Sequence, residues 1–170
     1  MRGPLPTARS VATAAASDHL PTIEVRIHDV PATVDETVLL AVLVGALVIT
    51  SVRAVERCER ALPVSEQALR AARWRAAHDG IEGPGHGPVS TAAAAPPAVQ
   101  LLRRLVRHIG PVLRQTGELQ AVKALLAKVL QLGNGAVRRR RAFQRRGRLE
   151  DVLAVLGRTT GQDCQPETAA

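Results

Sequence analysis

Aromatic residues are nearly absent from this 170-residue chain, which has one Phe, one Trp and no Tyr. Any core must be built from Ala, Val and Leu, which bring less burial per residue than aromatic rings, and a ladder of rings for stacking bases is excluded. Cysteine is scarce as well. Cys58 and Cys164 stand far apart with no Cys-x-x-Cys, so neither a disulfide framework nor a thiolate zinc site is expected, and a reduced, cytoplasmic setting is. No two of the five histidines lie at metal-ligand spacing with a Cys or Glu partner, and no Gly-x-Ser-x-Gly occurs; zinc-site and serine-hydrolase readings fall away. Lysine occurs only at Lys123 and Lys128, so the formal net charge of +8 is arginine charge. Alongside abundant Ala, Gly and Val, it reads as much like the bias of a GC-rich coding sequence as like a surface for polyanions. Met1-Arg2 leads into Gly3-Pro-Leu-Pro6 with no continuous apolar stretch, so a secretory signal is not expected.

Periodicity organises what is present. Residues 1–16 are Ala, Ser, Thr and Pro with little pattern and are expected to be a disordered leader. In Thr22–His28 the apolar Ile23, Val25 and Ile27 alternate with Glu24, Arg26 and His28, the period of two of a strand with one polar face. Glu24 and Arg26, two residues apart, project from the same side. A carboxylate there suits a divalent cation, and a guanidinium suits a phosphate or carboxylate. Thr33-Val-Asp-Glu36 then fits a capping box opening a helix. From Val38 to Ile49 twelve residues are apolar or Gly, a run too short for the about 20 residues of a bilayer span. A buried helix of a larger soluble protein is therefore expected, continuing through Arg53, Glu56 and Arg60 until Pro63 ends it.

Ser65 is placed to cap a second helix reaching about Asp79, with Gly80 in the left-handed terminal position and Trp74 packed inward. Residues 83–97 read as a flexible loop; their glycines lack the Gly-Lys-Ser/Thr ending of a P-loop. Val99, Leu102, Leu105, Val106 and Ile109 recur at helical spacing until Gly110-Pro111, which should kink or break the helix. A helix over Leu119–Leu132 follows, with Val122, Leu125, Leu126, Val129 and Leu130 inward, stopped by Gly133-Asn-Gly135. Seven arginines from Arg138 to Arg148 read as a solvated helix face before a short helix Leu149–Leu156, and 158–170 as a frayed, disordered tail.

Two segments carry a family resemblance. Leu20-Pro-Thr-Ile-Glu-Val-Arg-Ile-His-Asp29 with Thr33-Val-Asp-Glu-Thr-Val-Leu-Leu40 resembles the carboxylate–amine ligases of the glutamate–cysteine ligase type and, more distantly, the Glu-x-Arg-x-x-Asp strand of glutamine synthetases. Trp74-Arg-Ala-Ala-His-Asp-Gly-Ile-Glu-Gly83 is similar to the Trp-x-Ala-x-Arg-x-Gly-Leu-x-Gly segment of these ligases, with His78 in place of the Arg. The resemblance spans about Ser17 to Gly157 and matches the family's C-terminal part only. It implies that Glu24 is a ligand of a catalytic magnesium or manganese ion and that Arg26 contacts the substrate carboxylate or its acyl phosphate.

The expected fold class is mainly α with one N-terminal strand, a partial domain over 17–157 that forms the C-terminal fragment of an α+β glutamine synthetase-like catalytic fold. The expected function is ATP-dependent ligation of glutamate to cysteine or another amine. The chain should be inactive alone, since the nucleotide pocket and the other metal carboxylates have no counterpart here. A complementing N-terminal chain or self-association is the expected partner, with neither membrane nor nucleic acid. The alternatives are a basic helical module binding nucleic acid or a partner through Arg138–Arg148, and a non-functional gene remnant.

Overall fold

The computed structural model describes residues 14–16, 22–85 and 95–161, which fall into two compact units, residues 1–31 and 32–170. The architecture is mainly α, as expected. In the first unit, β1 (Ala14–Ala16) pairs antiparallel with β2 (Ile23–Val25), placing Ala15 opposite Glu24. Two expectations change here. The leader contributes a strand, because ladder hydrogen bonds use the backbone and accept alanines with no side-chain pattern. The predicted strand Thr22–His28 also shrinks to three residues, matched to the length of its partner. Ile23 and, beyond the strand, Ile27 remain 56% and 58% exposed, while Val25 is half-buried.

The second unit is helical: α1 (Val34–Glu56), α2 (Glu66–Asp79) with a 3-10 turn at Gly80–Glu82, α3 (Ala98–Gln115), α4 (Leu119–Leu132), α5 (Gly135–Arg146) and α6 (Leu149–Gly161). Its core lies between α1, α3 and α4, where Leu39, Leu43 and Ala46 meet Ile109, Val112, Leu113 and Val122. Ile109 and Leu113 are fully covered. This packing explains why Gly110-Pro111 does not break α3, contrary to expectation. Both flanks of Pro111 are buried side chains, and burying Ile109, Val112 and Leu113 at about 1.5–3 kcal/mol each outweighs the about 3 kcal/mol of an interior proline.

The capping box at the start of α1 forms, with a variation. Thr33 Oγ1 accepts from the Glu36 N–H at 3.2 Å, while Glu36 Oε2 accepts from the Ala32 N–H at 2.9 Å, one residue before the cap. The helix ends at Glu56, well before Pro63. Cys58 N–H donates to Val55 O and Glu59 N–H to Ala54 O, both at 2.9 Å, a Schellman closure that puts Cys58 at φ 56° where glycine is usual. By length and composition, the 23-residue α1 can cross a bilayer, so the expectation that this segment is too short is corrected. The polar residues flanking the apolar run do not interrupt it: Thr50 and Ser51 donate their hydroxyls back to Ala46 O and Leu47 O.

Ser65 caps α2 as expected. Gly80 takes a positive φ of 63° but ψ of −152°, so it turns the chain into the 3-10 segment rather than closing a left-handed cap. Trp74 does not pack inward. It is 63% exposed and stacks on His78 one turn on, ring centroids 4.9 Å apart; α2 buries no residue at all, so the indole finds cover only within its own helix. The ends of the 83–97 loop are tied together by Gly85 N–H to Pro96 O (2.6 Å) and Ala98 N–H to Gly83 O (3.0 Å), while residues 86–94 lie outside the described part. α4 has the predicted bounds, with Gly133 at φ 82° and Asn134 capping α5 by accepting from the Val137 N–H. α6 runs five residues beyond the predicted Leu156, helped by Thr159 and Thr160 hydroxyls that donate back to Val155 O and Leu156 O. The expected tail thus gives way to helix over 158–161, and residues 162–170 lie outside the described part.

Candidate functional site

Glu24 lies on β2 and Arg26 just past its end, two residues on, where the side chains meet. Arg26 Nη2 donates to Glu24 Oε2 at 2.5 Å. Both side chains are more than half exposed, 55% for Glu24 and 57% for Arg26, so the pair is held by local geometry rather than by burial. The guanidinium hydrogen bond, with its positive charge, lowers the Glu24 carboxyl below its ordinary value, and the carboxylate raises Arg26 in return. Glu24 is thus a carboxylate across the physiological range, the form that binds cations, and Arg26 keeps donor groups free beyond the one engaged. His28, next along the polar face, has Nδ1 3.1 Å from the Asp29 carbonyl oxygen. The Ser17-Asp-His-Leu20 segment lies outside the described residues.

One carboxylate is not a metal site. A divalent cation of the magnesium or calcium class takes six or more oxygen ligands, several of them carboxylates or waters. Among the described residues no group of three or more His, Cys, Asp or Glu side chains is placed to hold a metal ion. The donor set of these residues therefore does not fit a resident catalytic metal by itself.

The second resembling segment, Trp74–Gly83, is the last part of α2 and the 3-10 turn that follows it. His78 Nδ1 lies 2.6 Å from Asp79 Oδ1, and Arg75 Nε lies 3.9 Å from Asp79 Oδ2. Gly83 is required by space: a Cβ there would stand 2.2 Å from the Cβ of Asp79. Glu82 faces Arg140 and Arg141, each at 3.7 Å. The Arg138–Arg148 run, read from the sequence as a solvated face, is partly consumed inside the fold. Arg138 Nη1 donates to Gly133 O at 2.6 Å and approaches Glu36 Oε1 to 2.8 Å, Arg141 donates to Leu132 O, and Arg146 pairs with Asp151. Sequence reasoning missed the Glu36–Arg138 pair; no local pattern signals a contact between residues so far apart in the chain.

The profile of Glutamate-cysteine ligase family 2 matches residues 12–154, which include β2, α1 to α5 and the start of α6. A protein of Mycolicibacterium smegmatis named "Putative glutamate--cysteine ligase 2-3" is 45% identical over 144 residues, 85% of this chain and 39% of its own length. Relatives with the same kind of name in Nocardia farcinica, 43% identical over 92% of this chain and 40% of theirs, and in Saccharopolyspora erythraea, 44% identical over 82% and 36%, match similarly. No solved structure matches. The chain belongs to glutamate–cysteine ligase family 2. It spans about two-fifths of the length of the curated relatives it matches.

Proposed function

We propose that this chain is one part of an ATP-dependent glutamate–cysteine ligase, contributing Glu24 and Arg26 to an active site completed by groups outside the described residues. The observation that carries the reading is the family match over residues 12–154, which includes Glu24 on β2 and Arg26 just past its end, joined by a side-chain hydrogen bond. In such a ligase, ATP activates the glutamate carboxylate as an acyl phosphate, and the amine of cysteine displaces the phosphate. Arg26 is suited to hold the acyl phosphate or the carboxylate, because its planar fork can offer two parallel donors to two oxygens. To do so it must leave Glu24, and the exchange is easy because the pair is exposed and weakly held. Freed of Arg26, Glu24 would offer its carboxylate as one ligand to a magnesium or manganese ion, the remaining ligands having to come from groups outside the described residues.

On the same reading the chain alone forms no γ-glutamylcysteine and hydrolyses no ATP, since a single carboxylate does not assemble the ion. A cytoplasmic setting, where glutamate, cysteine and ATP coexist and Cys58 stays a free, exposed thiol, belongs to the same proposal. The test is a chimaera in which residues 12–154 replace the matching segment of the M. smegmatis relative. Magnesium- and ATP-dependent ligation of glutamate to cysteine is expected from the chimaera and not from the isolated chain, and Arg26→Lys is expected to remove most of it. A folded chimaera without ligase turnover would mean that this segment is a remnant which no longer supports the reaction. Full activity in the Arg26→Lys chimaera would remove Arg26 from the site.

A further inference from the structure

We propose that a second apolar stripe on α1, formed by Val34, Val38, Ala41, Gly45, Ile49 and Val52, is the docking surface for the remaining three-fifths of the glutamate–cysteine ligase 2 chain. The inference rests on the family assignment but not on the roles given to Glu24 and Arg26. At 100° per residue these six positions fall on one side of the helix. They lie about a third of a turn from Leu39, Leu43 and Ala46, which face α3 and α4. Val34, Val38, Ile49 and Val52 are 55%, 46%, 39% and 49% exposed. A helix apolar on more than one face is a helix covered on more than one face.

Gly45 sits at the centre of the stripe, and a Cβ built there meets nothing within 4 Å. Among the described residues, then, nothing packs on the glycine, although glycine in a helix interior is less favourable than alanine. A backbone approaching from outside supplies the reason, since glycine lets it come closest. Flanked by Ala41, Gly45 leaves a shallow trough between Val38 and Ile49.

Three occupants are conceivable, and the molecule favours one. Lipid would require α1 to enter a bilayer while Leu39, Leu43 and Ala46 stay on α3 and α4. Those helices carry Arg103, Arg104, Arg107, Lys123 and Lys128 on exposed surface, and each charge is costly in hydrocarbon. A second copy would cover the stripe but would leave unexplained why the matched segment sits within relatives more than twice as long as this chain. The stripe lies inside the matched residues 12–154, and this segment accounts for only 39% of the M. smegmatis relative. The cover is therefore sought in the rest of that family's chain.

Gly45→Leu separates these cases. Because the space around Gly45 is open and leucine is the better helix former, the variant of the full chain is expected to keep or raise its helix content and melting temperature. Yet it fills the trough a partner would occupy. The full chain co-expressed with the unmatched three-fifths of the M. smegmatis relative should elute as a one-to-one complex by light scattering, and Gly45→Leu should weaken it at least about tenfold. Val38→Asp should act likewise, while Arg139→Ala, off the stripe, should leave the complex intact. Failure to form a complex, for any reason including insolubility of the co-expressed segment, overturns the proposal, as does a complex that Gly45→Leu leaves unchanged. Flotation of the chain with phosphatidylglycerol–phosphatidylethanolamine vesicles, or a discrete homodimer broken by Gly45→Leu, would overturn it in favour of lipid or a second copy. A complex that forms as predicted but shows no ligase turnover would sink the proposed function and leave this surface standing.

Discussion

The ribbon of β1 and β2 and the three-helix core of α1, α3 and α4 divide the molecule's tasks unequally. In the ribbon no described side chain is buried, Ile23 and Ile27 are more than half exposed, and the side chains with chemical promise are held only by each other. Among the helices, Ile109, Leu113 and Val122 are almost wholly covered, and the charged groups that come together, Glu36 with Arg138 and Asp35 with Lys128, tie helices to each other. A two-stranded ribbon this short is marginal in water without further cover. The comparison teaches that the helices of this chain carry its stability, whereas the face assigned to catalysis depends on something yet to be added.

Breaking the packed side should have the largest effect. Leu113→Ala removes a fully covered side chain from between α1, α3 and α4 and should cost about 2–5 kcal/mol, read as a lowered midpoint in chemical denaturation followed by helix signal. Next in size is Glu36→Ala. It takes away the acceptor of the Ala32 N–H and the counter-charge of Arg138, whose side chain is 20% exposed. A loss of about 1–3 kcal/mol is expected, and Glu36→Gln, which can still accept from Ala32, should lose less. Cys58→Gly should move stability the other way, by about 1 kcal/mol, since glycine adopts the left-handed conformation of this Schellman position without the penalty of a Cβ; a fall in melting temperature would show that the Cys58 side chain has a packing role.

The smallest effect is on pH. Asp151 is lowered below its ordinary value of 3.8, chiefly by the hydrogen bond from Arg146, which outweighs desolvation, with smaller help from the charges of Arg146, Arg145 and Arg158. A carboxyl whose folded value is depressed adds stability that is present above its unfolded value and is lost as pH falls through the folded one. The link between α5 and α6 should accordingly weaken only below about pH 4, and Asp151→Asn should make the helix signal flatter across that window than in the wild type. An unchanged acid profile in the variant would show that the Arg146 pair contributes nothing to holding α6.

How far the sequence reached differs between the same two regions. Helix bounds followed from local chemistry where local chemistry decides: Thr33 and Ser65 cap as their side chains require, and α4 begins and ends where its apolar period does. Where burial decides, local rules failed. Pro111 stays inside α3 because its neighbours are covered on all sides, and Trp74 stays outside because α2 has nothing to bury it against. The left-handed closure at Cys58 was hidden because no glycine marks it. For the site, alternation placed Glu24 and Arg26 on one face, but not their mutual ion pair. The residues that would complete a metal site are beyond what the described part of this chain contains.

The most direct test of the division between stabilising helices and catalytic strand is the ligase turnover of the chimaera carrying Glu24→Gln, measured at a temperature where its circular dichroism matches that of the parent chimaera. Glutamine keeps the shape and removes the charge that binds a cation, and the residue is exposed, so the fold should not notice. The account predicts an unchanged melting temperature and turnover reduced to background. Turnover close to that of the parent would contradict it, and would mean that the strand's polar face is solvated surface in the assembled protein.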